Sequence, residues 1–338
     1  MTVSGAFKMM SMKIKYDFWK KTGGIGGKIT RPEDFCVDEV IGGKFLKRFE
    51  RTGRGVSRIE GTYSLFILKK TNTTTADALK LISRHMKIGM DDIGYAGLKD
   101  KFAVTTQYVT IKCPEENLRL KNVSLDFAGK TNRHISVGDL EENRFFIRLR
   151  GCRNIERLGS IMKNVEKYGL PNYFGPQRFG KNRNNHEIGR LIIKKDFSNA
   201  LKAINEIYDK DYNKIEQIGK PRLKFFIHAY QSWIFNEAIR LYVKNNKKPI
   251  SGKASLFGRN TRLSPNKIDK ATKSITEKQG IVQEDFSIRG LGLSCSGGLR
   301  SAFVTVKDLK YETEGGDVKL SFALPKGSYA TVLVAFLE

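Results

Sequence analysis

The sequence predicts a mixed fold of the α/β or α+β class, with strand concentrated toward the two ends of the chain and helix in its middle. Three observations predict it. Short β-branched and aromatic runs fall at Phe35–Val40, Thr62–Leu68, Tyr108–Lys112 and Arg144–Arg150. Apolar residues recur at helical spacing in Thr75–Ile88 and in three segments beyond Ile155. The chain has 338 residues, 40% of them apolar, enough for a buried core and about two domains.

The segments up to about Lys21 are irregular, and Thr22–Lys28 is a glycine-rich turn. Phe35–Val40 follows as a short strand. Gly42–Glu60 is basic and contains glycine, which makes it an exposed loop, and Thr62–Leu68 is a buried strand. In Thr75–Ile88 the residues Ala78, Leu81, Ile82, His85 and Met86 share one helical face, with Thr75 as N-cap. That places His85 on an apolar stripe, as a core residue rather than a ligand or base. In Arg144–Arg150 the alternation puts Phe145, Ile147 and Leu149 on one face and Arg144, Arg148 and Arg150 on the other. Ile155–Lys167 is a helix stopped by Gly169, and Phe197–Tyr208 and Tyr230–Tyr242 are two more. Asn245–Lys278 is polar and basic, a loop with one exposed helix. Lys319–Leu337 is two strands around Pro325–Gly327. No internal repeat is visible.

Charge narrows the partners. The 61 Lys and Arg exceed the 35 Asp and Glu, a net charge of +26. A lysine-rich surface balanced by acids would leave no such surplus, so a polyanion, and nucleic acid first, is the expected partner. The surplus is uneven. Lys44–Arg58 holds six basic residues and one acid, Arg178–Lys195 six against Glu187, and Lys244–Lys278 ten against Asp269 and Glu277. Lys307–Glu338 holds four basic and five acidic residues. One part of the chain is thus suited to a phosphate backbone and another to something else.

Several function classes lose support. Apolar runs such as Ala330–Leu337 fall far short of the roughly 20 residues needed to span a membrane. Lys8, Lys13 and Lys15 interrupt the first twenty residues, so no signal peptide is expected. Cys36, Cys113, Cys152 and Cys295 form no CxxC pair, and His85, His134, His186 and His228 are scattered. A zinc ribbon, a redox pair and a disulfide scaffold are not expected, and the setting is cytoplasmic. Thr22–Lys28 (TGGIGGK) lacks the first glycine and the final Ser/Thr of a Walker loop and the third glycine of a dinucleotide fingerprint.

Two segments carry chemistry. Gly94–Gln107 (GYAGLKDKFAVTTQ) sets Asp100 between Lys99 and Lys101, flanked by small and apolar residues. Burial there raises a carboxyl pKa, and adjacent cations restore its charge at neutral pH. An isolated Lys-Asp-Lys would otherwise be an ordinary exposed turn. Asn172–Gly180 (NYFGPQRFG) combines three aromatics with Gln177 and Arg178, suited to stacking and phosphate contact or to a structural turn.

With these segments the sequence resembles the TruD family of tRNA pseudouridine synthases. The resemblance runs in order through Arg31–Glu39 (RPEDFCVDE), Tyr95–Gln107, Asn143–Arg150 (NRFFIRLR), Pro171–Gly180 and Phe322–Thr331 (FALPKGSYAT), with the helix AYQSWIFN from Ala229. It implies an α+β fold. A pseudouridine synthase catalytic domain, with a mixed, largely antiparallel sheet and flanking helices, is interrupted by an inserted α/β TRUD domain. The implied boundaries are 1–170 and 305–338 for the catalytic domain and 171–304 for the insert, with RNA in the cleft between them.

The resemblance also implies the reaction: a uridine of tRNA, typically at position 13, becomes pseudouridine without cofactor, metal or nucleotide. Asp100 would act on the ribose as nucleophile or base. Phe145 would stack on the base and Asn143 would position the Asp100 loop. A basic residue precedes the PEDF motif in the family, which makes Lys28 and Arg31 candidates for the cation facing Asp100. Lys99, Arg178 and Arg300 complete the expected substrate contacts, and a monomer is expected. The rival classes are a non-catalytic RNA-binding protein or chaperone, which has no need of Asp100, and a methyltransferase, which would need a cofactor loop.

Overall fold

A computed structural model describes residues 24–41, 61–112, 115–180, 182–246, 249 and 251–338. The expected irregular opening to Lys21, the start of the Thr22–Lys28 turn, the basic loop Gly42–Glu60 and Cys113 lie outside the described residues.

Among the described residues one mixed sheet of nine strands organises the chain. Its strands are β1 (Phe35–Ile41), β2 (Tyr63–Thr71), β3 (Ile93–Tyr95), β4 (Val104–Ile111), β5 (Leu118–Leu120), β6 (Val123–Thr131), β7 (Leu140–Leu149), then β10 (Lys307–Glu314) and β11 (Asp317–Pro325) from the far end of the chain. The order is β10-β11-β7-β1-β4-β2-β6-β5, with β3 beside β4. Only β1 and β4 run parallel; every other neighbouring pair is antiparallel. This is the α+β architecture expected. Alternation sets the faces: Phe145, Ile147 and Leu149 are buried while Arg144 and Phe146 are exposed.

Between β7 and β10 the chain is mostly helical. It comprises α2 (Leu158–Tyr168), α3 (Asn185–Ile193), α4 (Phe197–Tyr208), α5 (Lys220–Asn245) and α6 (Lys267–Lys278), with a small pair of strands, β8 (Lys253–Leu256) and β9 (Gly298–Ser301). Helix α5 runs for 26 residues, twice the stretch that periodicity marked out, because it is buried nearly all round and shows no single polar face. One apolar cluster continues from Phe145 and Phe322 of the sheet into Phe226, Phe235 and Ile239 of α5.

Three local expectations are corrected. The residues after Pro325–Gly327 form helix α7 (Ala330–Leu337), not a second strand. An eight-residue apolar run buried on several sides does not reveal its period. In α1 (Thr75–Met86) the N-cap is Thr74, whose side chain accepts from the Asp77 amide. The buried stripe of α1 is Thr75, Ala78, Leu79 and Ile82, and His85 and Leu81 are exposed. The true stripe is rotated by part of a turn, which moves His85 out of the core. Strand β10 (KDLKYETE) was not anticipated: it is an exposed, charged edge strand with no apolar alternation.

Candidate functional site

The site is built where the loop before β4 crosses the sheet. Asp100 lies on that loop, half-buried. Three polar side chains fix the loop. Thr75 Oγ1 accepts from the Lys99 amide at 2.9 Å, and Gln107 Nε2 donates to Gly97 O at 3.2 Å. Lys70 Nζ donates to Asp100 O at 2.7 Å and to Thr73 O at 2.8 Å.

Lys70 is the residue the sequence reading missed. It is fully buried, 0% exposed, near the end of β2. Burial lowers its pKa to about 8, and the Asp100 carboxylate acts to hold it up. Phe66 and Leu68 are also 0% exposed. Period-2 alternation from Phe66 through Leu68 leads to Lys70 on the same inward face. That parity was the available signal.

The same parity buries Glu39. In β1 the inward positions are Phe35, Val37, Glu39 and Ile41. Glu39 pairs with Lys99, whose side chain is 4% exposed. Burial raises the Glu39 carboxyl despite that partner. The Asp100 carboxyl is likewise raised, by burial first, while Lys70 and then Lys99 pull it down. Lys70 and Lys99 are therefore the ammonium groups beside Asp100. Lys28 is exposed, and its backbone bridges to that of Arg150 at 3.0 and 2.8 Å. The charge of Lys28 acts on Glu338 instead. Arg31 is exposed, and its amide donates to Asp34 at 3.0 Å.

Neighbouring strands bring Asn143 and Phe145 to the same face as this cluster. Asn143 pairs in register with Glu39 on one side and Leu324 on the other. Its Oδ1 is buried with no hydrogen-bond partner among the described residues. Phe145 is 5% exposed, stacked on Phe322 at 5.3 Å and edge-on to Phe35 at 6.0 Å. It is a wall of three rings rather than a free platform. The outward arginines of β7 and the residue after it are engaged: Arg144 with Asp308, Arg148 with Asp317, and Arg150 with Asp34 and Asp317.

The helical part closes the site from above. Gln177, in the turn Pro176–Phe179, donates through Nε2 to Asp100 Oδ1. The preceding Phe174 is locked by a buried pair of hydrogen bonds with Asn236 of α5, 2.9 and 3.0 Å. Two guanidinium groups flank Phe174, Arg300 at 4.1 Å and Arg178 at 5.4 Å from the ring centroid. Arg300 donates to Asn172 O, Asn172 Oδ1 and Gly327 O, which ties β9 to the turn after β11. Burial lowers Arg300 to about 10, countered by Tyr329, with Arg178 adding repulsion. Arg178 Nε is buried with no hydrogen-bond partner among the described residues. Gly175 permits the closure: a Cβ there would lie 2.6 Å from the Tyr329 ring.

The structure thus brings together Asp100, Lys99, Asn143, Phe145, Arg178 and Arg300, adds Lys70 and Gln177, and leaves Lys28 and Arg31 outside the contacts of Asp100. Asp100 has a carboxylate with one displaceable amide donor, Gln177, and two buried ammonium groups, Lys70 and Lys99, acting on it. A carboxylate so placed can act on a sugar presented to it.

Comparisons with known proteins give the family and the fold. The family model described as tRNA pseudouridine synthase D (TruD) matches residues 12–216 and 245–335. A Methanocaldococcus jannaschii protein named "probable tRNA pseudouridine synthase D 1" is 32% identical, over 94% of this chain and 96% of its own. The tRNA pseudouridine synthase D of Aquifex aeolicus is 28% identical, over 90% of this chain and 96% of its own. The crystal structure of a Methanosarcina mazei protein assigned as tRNA pseudouridine synthase D has the same fold, with a TM-score of 0.72 at 22% identity and 96% coverage of both chains.

Proposed function

The chain belongs to the TruD family of tRNA pseudouridine synthases, and on that premise we propose that Asp100 is the carboxylate that acts on the target nucleotide's ribose. The chain is a tRNA pseudouridine synthase: it isomerises a uridine of tRNA to pseudouridine. The target is position 13, the family's usual one. The carrying observation is that Asp100 is an underserved carboxylate, raised by burial and backed by Lys70 and Lys99.

The reaction breaks the N1–C1′ bond, rotates the base and forms a C5–C1′ bond, while C5 gives up its proton and N1 takes one up. A stacked uridine offers neither edge, so the nucleotide is flipped into the cleft at a cost of a few kcal/mol. Contacts between the protein's cations and the RNA phosphates offset that cost. Asp100 engages the ribose, as nucleophile or base, after the RNA displaces Gln177. Lys70 favours its ionised form and holds the loop through the Asp100 and Thr73 carbonyls. Lys99 adds a weaker field because Glu39 neutralises it.

The unpartnered Asn143 Oδ1 suits a donor on the substrate or on the Asp100 loop. Phe145 supports the base as part of the Phe35–Phe145–Phe322 wall. Arg178 offers its unpartnered Nε to a phosphate, and Arg300 orients the Asn172 and Gly327 segments around it. Lys28 and Arg31, exposed at the start of the first strand, add backbone contacts. Bound RNA closes the site against water, so that the detached base is retained until it is rejoined.

The catalytic domain in this reading spans 1–170 and 305–338, and the inserted TRUD domain 171–304. The enzyme works as a cytoplasmic monomer and without a cofactor. The pairing of β11 with β7, 169 residues apart at Arg148–Asp317, supports that division.

Tritium release from unmodified tRNA transcripts carrying 5-tritiated uridine tests the proposal. One tritium per tRNA with wild type, and none with Asp100→Asn that still binds tRNA, is the expected result. Turnover by Asp100→Asn would remove Asp100 from the role.

A further inference from the structure

Two of the basic runs, Arg178–Lys195 and Lys244–Lys278, supply only Arg178 to the Asp100 cleft. They meet elsewhere. A cavity of about 820 Å³ opens in the helical part, lined by Lys195, Phe197, Arg259, Asn260, Gln283, Glu284, Ser287, Ile288, Arg289 and Gly290. None of these residues is among the contacts of Asp100, Lys70, Lys99 or Gln177 given above. Lys195, at the end of the first run, and Arg259, inside the second, come from segments 64 positions apart in the chain (259 − 195), and Arg289 from a third.

Three features make this a built site rather than a solvated surface. The cations Lys195, Arg259 and Arg289 are exposed, and none of them makes an ion pair with a carboxylate among the described residues. The one carboxylate on the wall is Glu284, so the cavity keeps a surplus of positive charge. The backbone is bent to shape the rim: Lys195 and Asn260 hold left-handed conformations, φ 61° and 60°. Such conformations in non-glycine residues are uncommon and gather at ligand clamps. Phe197 puts a ring beside the cations, and the Gln283 carboxamide, which donates to Thr261 O, carries polar groups into the wall.

We propose that this cavity binds a phosphate-bearing nucleotide of the tRNA other than the one undergoing isomerisation. Its volume suits a nucleotide unit. Lys195, Arg259 and Arg289 take the phosphates, and the Phe197 ring and the Gln283 amide face the sugar or base. The site holds the RNA by its backbone at a second point, so that the helical part and the sheet grip one molecule together. The inference rests on the tRNA reading for the identity of the RNA, and not on the role of Asp100.

The test uses the full chain and an unmodified tRNA transcript. The variants are Arg259→Gln, Arg289→Gln and the charge-keeping Arg259→Lys, with melting temperature as the control for folding. Filter binding across a salt series is read first. Each Gln variant is expected to raise Kd by about threefold or more and to reduce the slope of log K against log salt by about 0.7–0.9. Arg259→Lys keeps most of the slope. In single-turnover reactions the loss falls at subsaturating enzyme and shrinks at saturation, which a merely structural defect would not do.

Unchanged Kd and slope in folded Gln variants would overturn the proposal. So would variants that lose binding of free uridine monophosphate but retain tRNA affinity, because the cavity would then serve a free nucleotide. Failure of the synthase reading is separate: it would appear as no tritium release from wild type, while these binding slopes would still be readable.

Discussion

Asp34 and Asp100 are two aspartates served by the same sheet and treated in opposite ways. Asp34 is 1% exposed and accepts from the Thr30 amide and hydroxyl at 3.1 Å each, the Arg31 amide at 3.0 Å and Arg150 at 2.7–2.9 Å. Burial alone would raise its pKa, but Arg150 and these donors together hold it below the usual value. Asp100 has one side-chain donor, Gln177, and its nearest ammonium group binds its backbone carbonyl rather than its carboxylate. Its pKa is raised. A carboxylate whose lone pairs are filled is a structural anchor; one left short of donors is available for chemistry.

The comparison is tested most severely at Asp100 itself. Asp100→Asn is expected to lower single-turnover pseudouridine formation by about 10³-fold or more, with tRNA affinity retained. Because the folded pKa is raised, ionised Asp100 costs stability above its unfolded value. The variant should therefore melt at or above the wild-type temperature at pH 7. A lower melting temperature would make Asp100 an anchor like Asp34.

Asp34→Asn should show the reverse pattern. Loss of the carboxylate that accepts from half-exposed Arg150 and from the Thr30 and Arg31 amides lowers stability, measured by urea unfolding, while the saturated rate survives. The sign follows from the depressed pKa. The Asp34 contribution is full above about pH 4 and lost as pH falls through the folded value, so the variant and wild type should converge in acid. A gap that does not narrow at all as the pH falls below about 4 would assign the loss to geometry instead.

Lys70→Met removes the cation that acts most strongly on Asp100, and the Asp100 pKa rises further. We expect a rate loss of about 10–100-fold at pH 7 and an acid limb displaced to higher pH. In wild type the alkaline limb should fall near pH 8, where Lys70 loses its proton. Lys70→Arg should move that limb upward. An unmoved limb would show that Lys70 charge does not govern the rate.

The smallest effect belongs to Gln177→Ala. If Gln177 is a placeholder on Asp100, its removal changes the saturated rate by only a few-fold and leaves the salt slope of binding intact. A loss as large as that of Asp100→Asn would place Gln177 in the chemistry.

How much of this was legible follows from the same residues. Asp100 was singled out because a charged triplet sits among small and apolar neighbours and because its segment matches the family motif. The largely antiparallel sheet and the inward face of β7 followed from alternation and resemblance. Lys70 was not found because Lys69-Lys70 looks like the charged end of an ordinary strand; only the parity of Phe66 and Leu68 points it inward. Gln177 could not be matched to Asp100 because the contact joins positions 77 apart across two elements. Lys28 and Arg31 were favoured by proximity to a motif, and proximity in sequence does not set which side chain faces a loop. His85 and the final helix failed for a shared reason: short apolar runs underdetermine both phase and period.

The closing of the sheet by β11 has a consequence for biosynthesis. Strand β7 leaves the ribosome about 170 residues before the strand that covers its edge, the separation of Arg148 from Asp317 being 169. At about 5–20 residues per second, the nascent chain carries that open edge for roughly 10–30 s. The helical part between them has time to pack α5 against α3 and α6 first. The sheet is thus begun before the helical part is made and completed only after it.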